Sequence, residues 1–269
     1  MADEDEGLHR PYQHQFFDDA GAPRLARCAV LFVDLLGISQ LAGSENAATY
    51  LRTLNEALST SRNLLREDSP WPAAYFSDSL VIVSPVADGS DCSALTGLIE
   101  QAASLQTDLL EHGYSLRGGI ALGEIHLSRN LMFGPGLIEA YRLEQAASID
   151  PRIILSDEAA TTLRAGSGDD VNELGWLLLE DQDGRLTVDY LTSSIIAYRF
   201  ETTDEGLEWH RDLILKRRSE HAGTIAIWSK WNWVGQYHNA VCAYLADSSP
   251  ELRVPGVGER RFSLFAPTS

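Results

Sequence analysis

The chain has 269 residues, 44% of them hydrophobic, which suits one large packed domain or a domain with an appendage and excludes a fibrous or disordered chain. Its 39 acidic against 21 basic side chains leave a formal charge of −18, which repels nucleic-acid backbone and anionic lipid and argues against either as a partner. The three cysteines, Cys28, Cys92 and Cys242, are far apart and show no CxxC pairing, so neither a disulfide framework nor a structural zinc site is indicated. No apolar run approaches the roughly 18 residues of a membrane-spanning helix. The start, MADEDEGLHRPYQHQFFDD, is acidic and unlike a signal peptide, so a soluble cytoplasmic protein is expected.

In chain order, residues 1–25 are charged and punctuated by proline and glycine, and read as a loose leader lying across a neighbouring surface. ARCAVLFVDLLG (26–37) is a β-branched and aromatic run stopped by Gly37, a buried strand. Residues 45–66 read as a helix with Leu51, Leu54, Leu58 and Leu65 near one face. AAYFSDSLVIVSPV (73–86) reads as two strands meeting at a tight turn centred on Ser77 and Asp78, because short polar residues interrupt an apolar β pattern. A helix over 91–112 precedes the strand 114–128, whose glycines permit close backbone approach. The loop FGPG leads to a helix over 137–148, then come a strand at 152–156, a helix at 156–165 and paired strands near 175–180 and 185–191.

This order, β-α-β-β-α-β-α-β-α-β-β, predicts an α/β (α+β) domain: one mixed sheet covered by helices in a ferredoxin-like arrangement, spanning 26–195. Residues 196–269 read as a helical extension, with helices over 203–222 and 224–246. The second carries Trp228, Trp231, Trp233, Tyr237 and His238, whose helical spacing favours packing on the domain or on another subunit over a ligand box.

Two aspartates stand at strand ends, Asp34 in LFVDLLGIS and Asp78 in YFSDSL. They meet if the first strand lies beside the hairpin, and would then make a hard-oxygen site for magnesium or manganese. Taken bare, an aspartate at a strand end is more often a turn or capping residue. The conjunction of four motifs in one order is more telling. FVDLLGIS, YFSDSL, LRGGIALGEI and FGPGLIEAYRLEQAASIDPRIILS resemble, over roughly residues 26–160, the class III adenylate and guanylate cyclases.

That resemblance implies a nucleotidyl cyclase using two divalent cations, Mg²⁺ or Mn²⁺. Asp34 and Asp78 would be their ligands, with the Leu35 carbonyl as a further oxygen. Arg117 matches the arginine that holds the terminal phosphates, and Arg142 the one that stabilises charge on the α-phosphate, a task suited to a fixed guanidinium. The bland reading of Arg142 is a surface arginine pairing with Glu139. The family's site lies between two head-to-tail subunits, so a homodimer with two equal sites is implied.

Four positions depart from the family pattern. Ala74 and Leu131 stand where purine-recognising residues are usual, and Ile138 replaces an asparagine; Ser77 stands where glycine is usual. Apolar Ala74 and Leu131 offer no hydrogen bond to a purine edge, and a pocket built for such bonds loses strongly without them. With Asp34, Asp78, Arg117 and Arg142 all present, altered substrate choice is the preferred reading, and the pattern looks like the pyrimidine cyclases of the Pycsar anti-phage defence systems. This implies conversion of UTP to 3′,5′-cyclic UMP and pyrophosphate, the product acting on a separate cyclic-nucleotide-sensing effector. Alternatives are a cytidylate cyclase, an inactive nucleotide-binding or dimerisation module, and an adenylate cyclase with unusual base contacts. Tyr75 and Tyr141 could each stack on a pyrimidine ring or be sheet-face residues. His126 is left as a pocket or strand-end histidine.

Overall fold

The computed structural model describes residues 13–36, 47–60, 73–76, 78–86, 90–128, 130–166, 173–197, 199–245 and 249–267. Its strands are β1 (Ala26–Leu35), β2 (Ala73–Phe76), β3 (Ser79–Pro85), β4 (Leu116–Ser128), β5 (Leu131–Phe133), β6 (Ile153–Leu155), β7 (Leu178–Asp181), β8 (Leu186–Val188) and β9 (Phe262–Leu264). They form one sheet in the order β2-β3-β1-β4-β6-β8-β7-β9, with β5 paired to β4. β1 is antiparallel to both β3 and β4, whereas β4 and β6 are parallel. The mixed sheet covered by helices is therefore the architecture that forms. The helices are α1 (Gln13–Phe16), α2 (Ala47–Thr60), α3 (Asp91–Glu111), α4 (Pro135–Arg142), α5 (Asp157–Ala165), α6 (Tyr190–Ile196), α7 (Thr203–Glu220) and α8 (Ile225–Tyr244).

Strand alternation divides the core in two. Ala29, Leu31, Val33 and Leu35 of β1 face the larger core, against α3, α5 and the aromatic face of α8. Cys28, Val30 and Phe32 face a smaller one closed by Phe16, Ala140 and Leu143. On this second face α4 lies directly on the glycines of β4. A Cβ at Gly119 would stand 2.4 Å from Leu143 Cβ, and one at Gly123 would stand 2.8 Å from Gly136 Cα. Only glycine admits this approach, and it fixes α4 antiparallel to β4, with its C-terminal end over Gly119.

The details differ from the sequence reading at several points. Of the stretch read as a leader, residues 13–25 are anchored, with Phe16 buried and His126 Nδ1 3.1 Å from the Arg24 carbonyl; residues 1–12 lie outside the described residues. In α2, Leu54 is buried but Leu51 is exposed, while Leu65 and Gly37 lie outside the described residues. The strand expected to reach residue 191 stops at Val188, because Asp189 caps α6 by accepting from Thr192 N at 3.2 Å. The short strands β5 and β9 were not foreseen. β9 adds to β7, so the segment after residue 195 completes the sheet as well as supplying helices.

Most of the α8 aromatics are core, Trp228 alone of those singled out being half-buried under Arg218. Trp231, Trp233, Tyr237 and His238 are buried, and Tyr237 donates to Asp189 Oδ1 at 2.5 Å while Tyr244 donates to the other carboxylate oxygen. Among the described residues no helix is long and apolar enough to cross a membrane.

Candidate active site

Antiparallel register sets Asp34 of β1 opposite Ser79 of β3 on one side and Arg117 of β4 on the other. The alternation that buries Val33 and Leu35 in the larger core sends Asp34 to the α4 face. Asp78 follows β2 in the hairpin turn, and its carbonyl accepts from Leu35 N at 2.9 Å. Asp34, Leu35 and Asp78 are thus neighbours, as the sequence predicted for a hairpin beside the first strand. Ser77 lies outside the described residues.

Burial, then the nearby charges of Asp78 and Glu144, push the Asp34 carboxyl up to about 6, with Arg117 pulling the other way. Negative charge is crowded here, and a bound cation would relieve it. The donor set fits magnesium or manganese: two carboxylates and a carbonyl, all hard oxygens. Among the described residues no group of three or more His, Cys, Asp or Glu is placed so that it could hold a metal ion by itself. Such an ion would take the rest of its shell from water or substrate phosphates, as magnesium usually does.

Arg117 reaches two carboxylates, with Nη2 at 2.7 Å from Glu144 Oε1 and 3.5 Å from Asp34 Oδ2. Glu144 is fully buried and went unremarked in the sequence. It reaches Arg117 because the helix after Arg142 widens into a π-turn over Leu143–Ala147, with Ser148 N donating to Leu143 O at 2.9 Å. Such turns re-aim side chains and recur at functional sites.

Arg142 and Ile138 do not join this group. Both line an open cleft of about 640 Å³ between α4 and α5, together with Arg27, Gly123, Glu158 and Arg185. Arg27 is bound there to Asp91 and Glu158 at 3.0 and 2.7 Å, whereas Arg142 makes no ion pair among the described residues, with Glu139 or otherwise. Tyr141 packs edge-on against Phe32, ring centroids 5.3 Å apart, and is half exposed. His126 packs edge-on against Phe17 at 5.3 Å.

The residues expected beside the base are also separated within one chain. Ala74 pairs with Val81 at the β2 edge of the sheet. Tyr75 pairs with Leu80, and its side chain lies outside the described residues. Leu131 is exposed on β5, opposite Ser128, at the far end of β4 from Arg117. At about 3.3 Å of rise per residue, roughly 30 Å or more of strand separates Leu131 from the Asp34 site. Leu131 and Asp34 of the same chain therefore cannot touch one small substrate.

No protein-family profile and no curated protein sequence matches the chain. Among solved structures, the arrangement is similar to class III adenylyl and guanylyl cyclase catalytic domains. The adenylyl cyclase CyaB from P. aeruginosa matches at 13% identity and a TM-score of 0.47, covering 61% of this chain and 94% of that one. The monomeric guanylyl cyclase domain of the RhoGC fusion protein from the aquatic fungus Blastocladiella emersonii matches at 14% identity and 0.43, covering 61% and 95%. The guanylate cyclase domain of RhGC from Catenaria anguillulae, in complex with GTP, matches at 14% and 0.41, again covering 61% and 95%.

Proposed function

We propose that the protein is a pyrimidine nucleotide cyclase, converting UTP to 3′,5′-cyclic UMP and pyrophosphate at sites formed between two copies of the chain. The observation that carries the cyclase reading is the meeting of Asp34 and Asp78 at the β1 end, with Arg117 directly across from Asp34. Two divalent cations held there by Asp34, Asp78 and the Leu35 carbonyl would activate the ribose 3′-hydroxyl and neutralise phosphate charge.

The chain's own residues then have distinct tasks. Arg117 holds the terminal phosphates, and Glu144 fixes its guanidinium. Arg142, which makes no ion pair among the described residues, would reach a partner's α-phosphate as the 3′-oxygen attacks in line and pyrophosphate leaves. Apolar Ala74, Leu131 and Ile138 favour a smaller base over a purine, and cytidylate cyclization is the second reading within that class. On the resemblance to the Pycsar cyclases, the product is an antiviral messenger in the cytoplasm, read by a separate effector.

The test is incubation of the purified protein with each of ATP, GTP, CTP and UTP in Mn²⁺, following pyrophosphate and cyclic nucleotide. Cyclic UMP from UTP is expected. Turnover of ATP or GTP alone would overturn the pyrimidine assignment, and nucleotide binding without turnover, unchanged by Asp34→Ala, would leave only a binding module.

A further inference from the structure

The π-turn that presents Glu144 to Arg117 is pinned to β4 at both ends. Its first residue, Leu143, lies against Gly119, where an added Cβ would stand 2.4 Å from the leucine Cβ. Just past its last residue, the Ser148 hydroxyl accepts from Gly118 N at 3.3 Å and donates to the Arg152 carbonyl. Gly118 and Gly119 directly follow Arg117 in β4, so the two pins hold the turn beside the residue that carries the guanidinium. Glu144 lies between them.

Ser148 is fully buried, and its backbone keeps the same geometry, with Ser148 N donating to Leu143 O at 2.9 Å where an α-helix would use Glu144 O. The carbonyl that its hydroxyl reaches is itself fixed. It also accepts from Gly118 N at 3.0 Å, and the Arg152 side chain is bound by Asp181 and, at 2.5 Å, by Asp183. Asp181 in turn binds Arg260 at 2.7 Å, so the segment leading into β9 braces this anchor. Gly118 N and Arg152 O stay paired to each other without the hydroxyl, so no backbone group depends on it for satisfaction. What it adds is direction, tying the end of the turn to β4.

Resting on the reading of Arg117 as the residue that holds the terminal phosphates, we infer that Ser148 is a positioning residue of the candidate site. Its hydroxyl locks the π-turn in the register that aims Glu144 at Arg117, and so sets the direction in which Arg117 offers its guanidinium to substrate. Without that lock the turn relaxes toward the ordinary α-helical ladder and the Glu144 carboxylate drifts from Arg117.

The experiment compares Ser148→Ala with Ser194→Ala in the full chain. Ser194 is also a buried serine, bonded to the Tyr190 carbonyl at 2.7 Å on α6, which packs on α3 rather than on α4. Both variants and the wild type are labelled with ¹⁵N-arginine, and the Arg117 side-chain signals are identified by their absence from Arg117→Met. A guanidinium fixed in an ion pair rotates slowly and gives separate Nη signals, whereas a loose one gives a merged signal. Separate Arg117 signals are expected in the wild type and Ser194→Ala, and a merged one in Ser148→Ala, with melting temperature lowered no more than in Ser194→Ala. For whichever nucleoside triphosphate is turned over, KM should rise about fivefold in Ser148→Ala with kcat within about twofold, and neither should move in Ser194→Ala. Separate signals in Ser148→Ala, merged ones in the wild type or Ser194→Ala, an unchanged KM, or failure of Ser148→Ala to fold would each overturn the assignment. If the wild type cyclises no nucleotide, the cyclase reading fails, and the Arg117 signals still decide whether Ser148 positions the pair.

Discussion

The Arg117 guanidinium lies 2.7 Å from Glu144, a carboxylate with no exposed surface, and this pair joins the Asp34 end of β1 to the helix that carries Arg142. A buried carboxylate is costly unless paired, so each partner fixes the other. Gln145 Nε2 covers the second Glu144 oxygen at 2.5 Å, leaving Arg117 to face the first. Glu144→Leu should therefore destabilise the fold by about 3 kcal/mol, as it leaves the partly buried Arg117 only its longer contact with Asp34. Arg117→Met with Glu144→Leu should restore most of that loss. Urea unfolding of the two single variants and the double variant gives the coupling directly, and additive losses would refute it.

Asp34 carries the opposite energetic sign. Its folded-state carboxyl is raised from the usual 3.8 to about 6, so ionising it opposes folding. The stability it contributes is full below about pH 4 and lost as pH rises through about 6, amounting to as much as about 3 kcal/mol at neutral pH. Asp34→Asn should accordingly melt higher than wild type in chelator at pH 7.5. Added Mn²⁺ should raise the wild-type melting temperature and leave that of Asp34→Asn nearly unchanged, with nucleotide turnover abolished. A lower melting temperature for the variant in chelator would show that the crowding of charge is not what governs this site.

Much of this site was legible because it depends on local pattern. The β-branched and aromatic run ARCAVLFVDLLG marked β1 as a buried strand, and the polar break at Ser77 and Asp78 marked the hairpin; which β1 residue faces which core was not legible, because the run is apolar on both faces. Glu144 was not legible, since the π-turn over Leu143–Ala147 shifts the helical phase, and an ordinary 3.6-residue count does not aim Glu144 at Arg117. The docking of α8 was not legible either, since it rests on pairs such as Tyr237 with Asp189 that are far apart in sequence. The strands β5 and β9 are three residues each, too short to show a period, and their pairing is set by β4 and β7.

A second buried network makes the fold itself pH-sensitive. Tyr190 Oη lies 2.9 Å from His210 Nε2, His210 Nδ1 lies 3.0 Å from His238 Nδ1, and His238 Nε2 lies 2.8 Å from the Leu252 carbonyl. One assignment satisfies all three bonds with both rings neutral: Tyr190 donates to His210, His210 donates to His238, and His238 donates to Leu252. A further proton on His238 would face the one on His210. Burial holds His238 at about 4 and His210 well below its usual 6.5. Because these folded-state values are depressed, stability is full above pH 6.5 and falls as pH drops toward 4. From His238 alone, the loss between pH 7.5 and 5 should be about 2 kcal/mol by urea unfolding. His238→Asn, although less stable at pH 7.5, should show a flatter dependence; an equally steep one would move the origin elsewhere.

Arg142 opens on a cleft that Asp34 does not line, and Leu131 lies at the far end of β4 from it, which gives the sharpest test of a shared site. If each site takes Asp34, Asp78 and Arg117 from one copy and Arg142 from the other, Asp34→Ala and Arg142→Ala are each inactive as homodimers. Mixed in equal amounts with free exchange, half of the dimers contain one copy of each variant. In such a dimer both lesions fall in the same site, and the other site is intact. Turnover should then return to about a quarter of the wild-type value, half the dimers with one working site of two. Mixing Asp34→Ala with Asp78→Ala should restore none, because every site of that dimer carries a lesion. A mixture of Asp34→Ala and Arg142→Ala that stays inactive, with exchange verified by mass, would place all of the catalytic groups within a single chain and refute the shared site.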